Sequence, residues 1–162
     1  MITTNVQERA GADHAQVEFH PPLLLLLCIG IGFAARWFAP AAFLPSKGAG
    51  IVGPNLVIAA FALFAWSAIV MRRGGASIPT GEPTDRLVFE GPYRFSRNPI
   101  YLSMVLLIVG VAVWANSLWF VALAVVMIVF LNWGVISREE QYLKRKFGDA
   151  YEAYRDSVRR WC

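Results

Sequence analysis

The sequence predicts an all-α integral membrane protein with about four transmembrane helices and an amphipathic C-terminal cytoplasmic helix. Of the 162 residues, 57% are hydrophobic and only 16% are charged, whereas a soluble domain carries about 25% charged residues. The apolar residues also occur in blocks close to the roughly 20 residues that a helix needs to cross a bilayer. Lysine and arginine concentrate in particular polar segments between and after these blocks, as is typical of cytoplasmic loops.

Four apolar blocks are the candidate transmembrane helices. They cover, approximately, Leu23–Phe43, Ile51–Met71, Ile100–Trp114 and Leu118–Val135. The third block is shorter than a typical span, so we expect its helix to begin within the preceding segment Arg97–Tyr101. The first 22 residues contain one arginine and three acidic residues, a composition that disfavours a cleaved signal peptide. Arg36, inside the first block, is expected to extend its charge to the outer membrane surface.

Lysine and arginine are unevenly distributed among the polar segments. The loop between the second and third blocks holds five of the 15, namely Arg72, Arg73, Arg86, Arg94 and Arg97. The C-terminal tail holds seven, namely Arg138, Lys144, Arg145, Lys146, Arg155, Arg159 and Arg160. By the positive-inside rule both segments are cytoplasmic, and four spans then put the N-terminus on the same side. We therefore expect a protein of the bacterial inner (cytoplasmic) membrane with both termini in the cytoplasm.

The chain divides into three expected parts. Residues 1–22 form a polar N-terminal arm, and residues 23–78 hold two transmembrane helices. Residues 79–162 hold two more transmembrane helices and the C-terminal helix, and we expect the functional residues in this part. The sequence neither requires nor excludes a homodimer.

Charge and side-chain chemistry exclude several partners. Cytoplasmic segments that face anionic lipid account for the net charge of +4, so no nucleic-acid partner is expected. The two cysteines, Cys28 and Cys162, lie in a span and at the last residue, and the two histidines, His14 and His20, lie in the N-terminal arm. This spacing fits neither a disulfide framework nor a metal site.

The candidate site consists of two polar clusters at the borders of apolar blocks. The segment Gly91–Tyr101 contains two arginines, two tyrosines and an asparagine, and it leads directly into the third block. Arg138, Glu139 and Glu140 follow the end of the fourth block. Polar groups at this depth cost free energy unless they are paired or serve a site. The two clusters therefore predict a site at one bilayer surface.

The tail that contains the second cluster has the pattern of an amphipathic helix. Apolar and aromatic residues recur at helical spacing, at Ile136, Leu143, Phe147, Tyr151, Tyr154 and Val158. Gly148 is a point where the helix could break or bend. Glu139 and Glu140 fall within this stripe, and a carboxylate on a buried face requires a cation. The partner could be an arginine such as Arg94 or Arg97, or the amino group of a ligand; alternatively, Glu140 pairs with Lys144 on the surface.

At this point the residues resemble a known superfamily. The matching positions are Gly91-Pro92-Tyr93-Arg94, Ser96-Arg97-Asn98-Pro99, Tyr101-Leu102, Glu139-Glu140, Leu143, Phe147-Gly148, Tyr151, Tyr154, Val158 and Arg160-Trp161. On these residues the C-terminal half resembles the isoprenylcysteine carboxyl methyltransferase and phospholipid N-methyltransferase superfamily, in the form of a small bacterial member. Relatives often have histidine at the position of Asn98 and proline at that of Arg159.

The resemblance implies methyl transfer from S-adenosylmethionine at the cytoplasmic membrane surface. An arginine suits the carboxylate of this cofactor, a glutamate suits its ammonium group or ribose hydroxyls, and tyrosine rings suit adenine or the sulfonium. The cofactor-binding residues implied in this way are Tyr93, Arg97, Asn98, Pro99, Tyr101, Leu102, Glu139, Glu140, Tyr151 and Tyr154.

The catalytic residues implied are Arg160, Glu139 and Glu140, and their roles depend on the methyl acceptor. A carboxylate or thiolate acceptor needs no general base, and Arg160 could hold it. A protonated amine needs a base, and Glu139 or Glu140 could serve. We expect carboxyl methylation of a prenylcysteine-like or other hydrophobic acceptor, with phospholipid amine or thiol methylation as the alternative.

Two alternatives from other functional classes stay open. Membrane sterol reductases are similar over the same region and use NADPH, whose 2′-phosphate requires a basic cluster. Only Lys144–Lys146 offers a compact one in the tail, and it is equally explained as a charge run that faces solvent or lipid. The other alternative is a membrane module without enzymatic activity, for which neither polar cluster would bind a small molecule.

Overall fold

The protein is described by a computed structural model over residues 20–75 and 86–162. Its described elements are all helical. They are α1 (Pro21–Phe38), α2 (Ser46–Arg73), a short 3₁₀ turn (Gly91–Arg94), α3 (Pro99–Trp114), α4 (Leu118–Phe130), a wider π-helical turn (Leu131–Ile136), α5 (Ser137–Phe147) and α6 (Asp149–Ser157). The predicted arm over residues 1–22 lies almost entirely outside the described residues.

Three of the described helices are long and apolar enough to cross a membrane, which confirms the predicted fold class. They are α1, α2 and the continuous helix Leu118–Phe147. The fourth apolar helix, α3, has 16 residues and begins at Pro99, within the segment in which the sequence predicted its start. Proline is favoured at the first position of a helix, because its N–H would have no intrahelical partner there. Pro21 begins α1 in the same way.

The core lies between α3 and α4, with α1 packed against α4 and α2 against α3. Ile108 of α3 is completely buried, as are Phe120 and Met127 of α4. The outer faces of α1 and α2 instead expose large apolar side chains, including Trp37, Phe38 and Ile51. Such faces suit contact with lipid, because hydrocarbon tails solvate them as well as a protein core would.

The loops at the end of the bundle opposite the polar clusters are joined by hydrogen bonds. The guanidinium of Arg36 donates to the carbonyl of Ala115, between α3 and α4. The side-chain oxygen of Asn116 accepts from the backbone N–H groups of Phe43 and Leu44, at 3.0 and 2.9 Å. Arg36 therefore lies in the last turn of α1 and ties this helix to the loop between α3 and α4.

Glycine permits the close approach of α2 and α3. A Cβ at Gly53 would overlap the backbone of Trp114, and a Cβ at Gly110 would lie 2.9 Å from the backbone nitrogen of Val57. Small residues at such crossings allow helix backbones to meet in a membrane. In α1, a Cβ at Gly32 would overlap the ring of Phe120, whereas a Cβ at Gly30 would meet no atom within 4 Å. Gly32 therefore permits the close packing of α1 against α4.

The Gly53→Ala substitution is expected to destabilise the bundle, whereas Gly50→Ala on the same helix is not. The alanine methyl at position 53 must displace backbone, and overpacking of this kind costs about 1–3 kcal/mol. A Cβ at Gly50 would meet no atom of another helix within 4 Å. Thermal unfolding in detergent should show a lower Tm for Gly53→Ala alone, and equal Tm values for the two variants would contradict the packing argument.

The tail differs from the single amphipathic helix that the sequence pattern suggests. Its first part continues the fourth span without a break, through the π-helical turn into α5. The chain then breaks at Gly148, whose φ of +52° is a conformation that favours glycine. Tyr142 is the buried residue of α5, whereas Leu143 is half-buried. A π-helical turn contains an extra residue, so the face that points inward is shifted from the one that regular helical spacing predicts.

Candidate functional site

The two polar clusters meet at the end of the bundle through the last residues of the chain. We call residues 158–162 the C-terminal strap. The backbone N–H of Arg97 donates to the carbonyl of Arg159 at 3.0 Å. The carbonyl of Arg160 accepts from Nδ2 of Asn98 at 3.1 Å and from Oγ of Ser96 at 3.3 Å. The strap is thereby fixed against the segment that precedes α3.

Glu140 lies between two arginines at the centre of the site. Its Oε1 is 3.1 Å from Nη1 of Arg97, and Arg160 donates to both carboxylate oxygens, from Nε at 3.1 Å and from Nη2 at 2.5 Å. A fork of this kind is among the strongest side-chain pairings, because both bonds are charge-assisted. The Glu140 and Arg97 side chains are only 16% and 11% exposed, so water screens their interaction weakly.

Among the protein cations considered for Glu140, the structure selects arginine over Lys144. The partners of Glu140 are Arg97 and Arg160, while Lys144 pairs with Glu152 at 2.6 Å instead. Arg94 is exposed and is not among the ionic partners of Glu140. Two arginines and one glutamate leave the cluster with one excess positive charge, which suits an anionic group.

Glu139 occupies a separate position beside the cluster. The hydroxyl of Tyr101, a buried residue of α3, donates to its Oε1 at 2.7 Å. The two adjacent carboxylates thus have different partners, one a phenol and the other two guanidinium groups. Neutral and ionic partners hold a carboxylate with different strength, so the two glutamates are suited to different roles.

Three tyrosines line the same region. The hydroxyl of Tyr151 accepts a long bond of 3.4 Å from Arg97, and the hydroxyl of Tyr154 donates to the carbonyl of Tyr93 at 2.8 Å. Burial raises the pKa of the Tyr151 phenol, and the nearby charge of Glu140 raises this pKa further. Burial also raises the pKa values of Tyr93 and Tyr154. All three phenols are therefore neutral at physiological pH and keep their hydrogen-bonding protons.

One buried polar atom of the site has no hydrogen-bond partner among the described residues. It is Nε of Arg97, whose Nη1 is shared between Glu140 and Tyr151. A buried donor left unpaired costs about 1–3 kcal/mol. The Nε–H of Arg97 is therefore a donor that an anionic ligand group could use.

The structure brings together most of the residues that the sequence singled out. Direct side-chain or backbone contacts connect Tyr93, Arg97, Asn98, Tyr101, Glu139, Glu140, Tyr151, Tyr154 and Arg160 with one another or with the strap. Pro99 and Leu102 lie in the first turn of α3, where Leu102 N–H bonds to the carbonyl of Asn98. Both residues lie where the helix starts, and their contact with a cofactor stays a prediction.

Sequence patterns did not single out Asn132, the partner of Trp161. Nε1 of Trp161 donates to Oδ1 of Asn132 at 3.1 Å, which connects the strap to the fourth span. A signal for Asn132 was present, because it is the one polar side chain between Leu118 and Ile136. Polar residues within a span mark functional sites by default.

Comparisons with known proteins identify one matching family and one similar protein. Residues 49–150 match the family described as phospholipid methyltransferase. The chain is also 41% identical over 63 residues to an uncharacterized protein of Haemophilus influenzae, which covers 38% of this chain and 98% of that protein. No solved structure matches the chain.

Proposed function

The chain belongs to the phospholipid methyltransferase family, and we propose that it methylates a hydrophobic, membrane-borne acceptor at the cytoplasmic membrane surface. Members of this family are S-adenosylmethionine-dependent methyltransferases, so the chain is an enzyme of that class. We place the site at the Arg97–Glu140–Arg160 cluster, where the start of α3, α5 and the strap meet. The proposed location rests on this single observation.

The residues present fit this cofactor. The unpaired Nε–H of Arg97 and the excess positive charge of the cluster suit its carboxylate. Glu140 suits its ammonium group, and the neutral rings of Tyr151 and Tyr154 suit adenine or the sulfonium. When bound, the cofactor supplies a methyl group activated by a sulfonium, and its binding is proposed for Tyr93, Arg97, Tyr101, Glu139, Glu140, Tyr151 and Tyr154, with Asn98, Pro99 and Leu102 shaping the loop.

The chain contributes positioning and electrostatics to the transfer. Methyl transfer is an in-line displacement between two small reacting groups, for which correct placement alone is worth about 7–11 kcal/mol. The bonds of Arg97 and Asn98 to the strap hold the two sides of the site together. A site in which these donors are already oriented pays little reorganisation energy during the reaction.

Carboxyl methylation of a prenylcysteine-like or other lipid-borne acid is the acceptor chemistry that we favour. Arg160 is the most exposed of the three charged residues in the cluster, at 37%, so its guanidinium is accessible to a second anion. A carboxylate held there is already a nucleophile and needs no base. The carboxylate acceptor would therefore be held by the exposed guanidinium of Arg160, while the donor on Arg97 is left for the cofactor.

Methylation of a phospholipid amine is the second candidate, favoured by the description of the matching family. A protonated amine must lose its proton before it attacks, so this chemistry needs a base. Glu139 is the better placed candidate, because Glu140 is engaged by two arginines while Glu139 has the phenol of Tyr101. Methylation of a hydrophobic thiol is a third variant and would again use Arg160.

The membrane arrangement follows the distribution of charge. The positively charged loop before α3 and the tail face the cytoplasm, as do both termini. An acceptor with a lipid chain can then reach the site from within the bilayer, since the exposed sides of the helices are apolar.

The contacts that Lys144 and Lys146 make in the structure weaken the reductase alternative. Lys144 is paired with Glu152, and Nζ of Lys146 lies 5.7 Å from the centre of the Tyr142 ring. These basic residues are thus engaged within the tail rather than gathered around a phosphate site.

The proposed function is tested by incubating the purified protein with methyl-labelled S-adenosylmethionine and three acceptors. The acceptors are a prenylcysteine-like thioether acid, phosphatidylethanolamine and a long-chain thiol. We expect label in a base-labile methyl ester of the acid. Label in an alkali-stable methylamine would assign the amine chemistry instead, and binding of NADPH without binding of S-adenosylmethionine would contradict the proposal.

A further inference from the structure

The strap carries two neighbouring side chains with different partners. Arg160 forms the fork on Glu140, and Trp161 donates to Asn132 in the fourth span. Trp161 is half-buried and packs against the core between α3 and α4. One end of the chain thus connects the charged cluster with the interior of the bundle.

The presence of Asn132 in the fourth span calls for an explanation. Every other residue from Leu118 to Ile136 is apolar or glycine. An amide in such a setting costs free energy unless it is hydrogen-bonded. The Trp161 indole supplies such a bond to the side-chain oxygen of Asn132 at 3.1 Å.

Asn132 also lies in the π-helical turn, Leu131–Ile136, that leads to the two glutamates. Turns of this type occur frequently at functional sites, because the extra residue redirects the side chains that follow. The same turn therefore presents Asn132 to the strap and sets the direction of Glu139 and Glu140.

The strap is anchored on two sides. Ser96, Arg97 and Asn98 hold its backbone carbonyls from one side. The indole holds it from the other. With both sides fixed, the backbone of Arg160 has little freedom to carry the guanidinium away from Glu140.

We propose that Asn132 and Trp161 are positioning residues for the methyl transfer, and that their hydrogen bond fixes the strap so that Arg160 stays on Glu140. This inference rests on the proposed function, in which Arg160 faces the acceptor. It adds two residues that do not touch the reacting groups and that act through Arg160.

The test combines Trp161→Phe, which keeps an aromatic ring but removes the donor, with Asn132→Leu, which removes the acceptor. NMR of the ¹⁵N-labelled protein in micelles would follow the indole N–H of Trp161 and the Nε–H of Arg160. In both variants we expect the Arg160 signal to shift and to exchange faster with water. Trp133→Phe is the matched control, since Trp133 lies in the same turn but is 75% exposed, and it should leave the Arg160 signal unchanged.

Activity provides the second readout. Each single variant is expected to lower kcat/KM about tenfold, in line with the loss of one hydrogen bond. The double variant should have a kcat/KM no lower than that of either single variant, because each single substitution already removes the same hydrogen bond. In an Arg160→Gln background the two substitutions should have no further effect.

Two results would overturn the inference. One is an Arg160 Nε–H signal that stays as in the wild type in both variants. The other is a tenfold loss that persists in the Arg160→Gln background, which would assign Asn132 and Trp161 a general structural role. If the wild type methylated none of the three acceptors, the proposed function would fail, but the NMR result would still decide whether the pair positions Arg160.

Discussion

Replacement of Glu140 by alanine is expected to abolish measurable binding of S-adenosylmethionine, and so is replacement of Arg97 by alanine. Glu140 is the proposed partner of the cofactor ammonium, and Arg97 has the unpaired donor proposed for its carboxylate. Charge-assisted bonds contribute about 1.5–3 kcal/mol each, which is about 10- to 150-fold in affinity. Loss of Glu140 also leaves two arginines without their shared carboxylate, so the cluster must rearrange. Calorimetric titration of the detergent-purified protein measures the effect.

Folding must be separated from binding in this experiment. Removal of one member of a buried ion pair can cost about 3–5 kcal/mol of stability, so thermal unfolding should be recorded for both variants. Glu140→Gln, which keeps the shape of the side chain, should weaken binding with a smaller change in Tm. Glu152→Ala is a matched control, because it breaks the glutamate–lysine pair with Lys144, whose side chains are 38% and 57% exposed. Wild-type affinity in both alanine variants, with the control also unchanged, would remove the cluster from the cofactor site.

The sequence was sufficient to predict the helices and the polar residues that gather between them. Length and apolarity alone identified the spans, since a bilayer imposes both, and the shortness of the third block placed the start of α3 within Arg97–Tyr101. Physical chemistry also indicated that Glu140 needs a cation, because a carboxylate on an apolar helix face is costly without one. Arg97 was one of several partners left open on that ground, and the structure pairs it with Glu140.

The identity of the second arginine could not be predicted in the same way. Arg160 lies 20 residues after Glu140 in the sequence. The guanidinium of Arg160 reaches Glu140 only because the chain breaks at Gly148 and the strap then runs back along Ser96 and Asn98. A helical stripe drawn through Ile136, Leu143 and Tyr151 assumes one regular helix. The π-helical turn and the break at Gly148 both violate that assumption, so Tyr142 is buried in place of Leu143.

The Trp161–Asn132 bond depends on the same two irregularities. A π-helical turn has no strong sequence signature, and the path of the strap is determined by long-range contacts rather than local preference. Asn132 nevertheless stood in an apolar run without a visible partner. A polar residue of this kind is the clearest sign, before a structure is known, that some distant segment must return to it.

Arg160→Gln and Glu139→Gln are expected to separate the two acceptor chemistries. If the acceptor is a carboxylate, Arg160→Gln should lower kcat/KM by about 100-fold or more, the scale on which a fixed charge or donor at a reacting group contributes. Glu139→Gln should then have a small effect, since no proton is removed. If the acceptor is an amine, Glu139→Gln should cause a loss of about 100- to 10,000-fold, the usual contribution of a general base, and Arg160→Gln should affect the rate less.

The two substitutions are matched in design, because each replaces a charged group by a neutral amide that can still hydrogen-bond. Gln at position 139 can still accept from the hydroxyl of Tyr101, which donates at 2.7 Å, so the local structure should persist. Gln at position 160 gives up the fork on Glu140, and S-adenosylmethionine titration of this variant must show that the cofactor still binds. Steady-state rates with each acceptor then give the answer. Equal losses in both variants with every acceptor would contradict the division of roles between Glu139 and Arg160, because a residue that only holds an anion and one that only removes a proton cannot be needed to the same extent by both reactions.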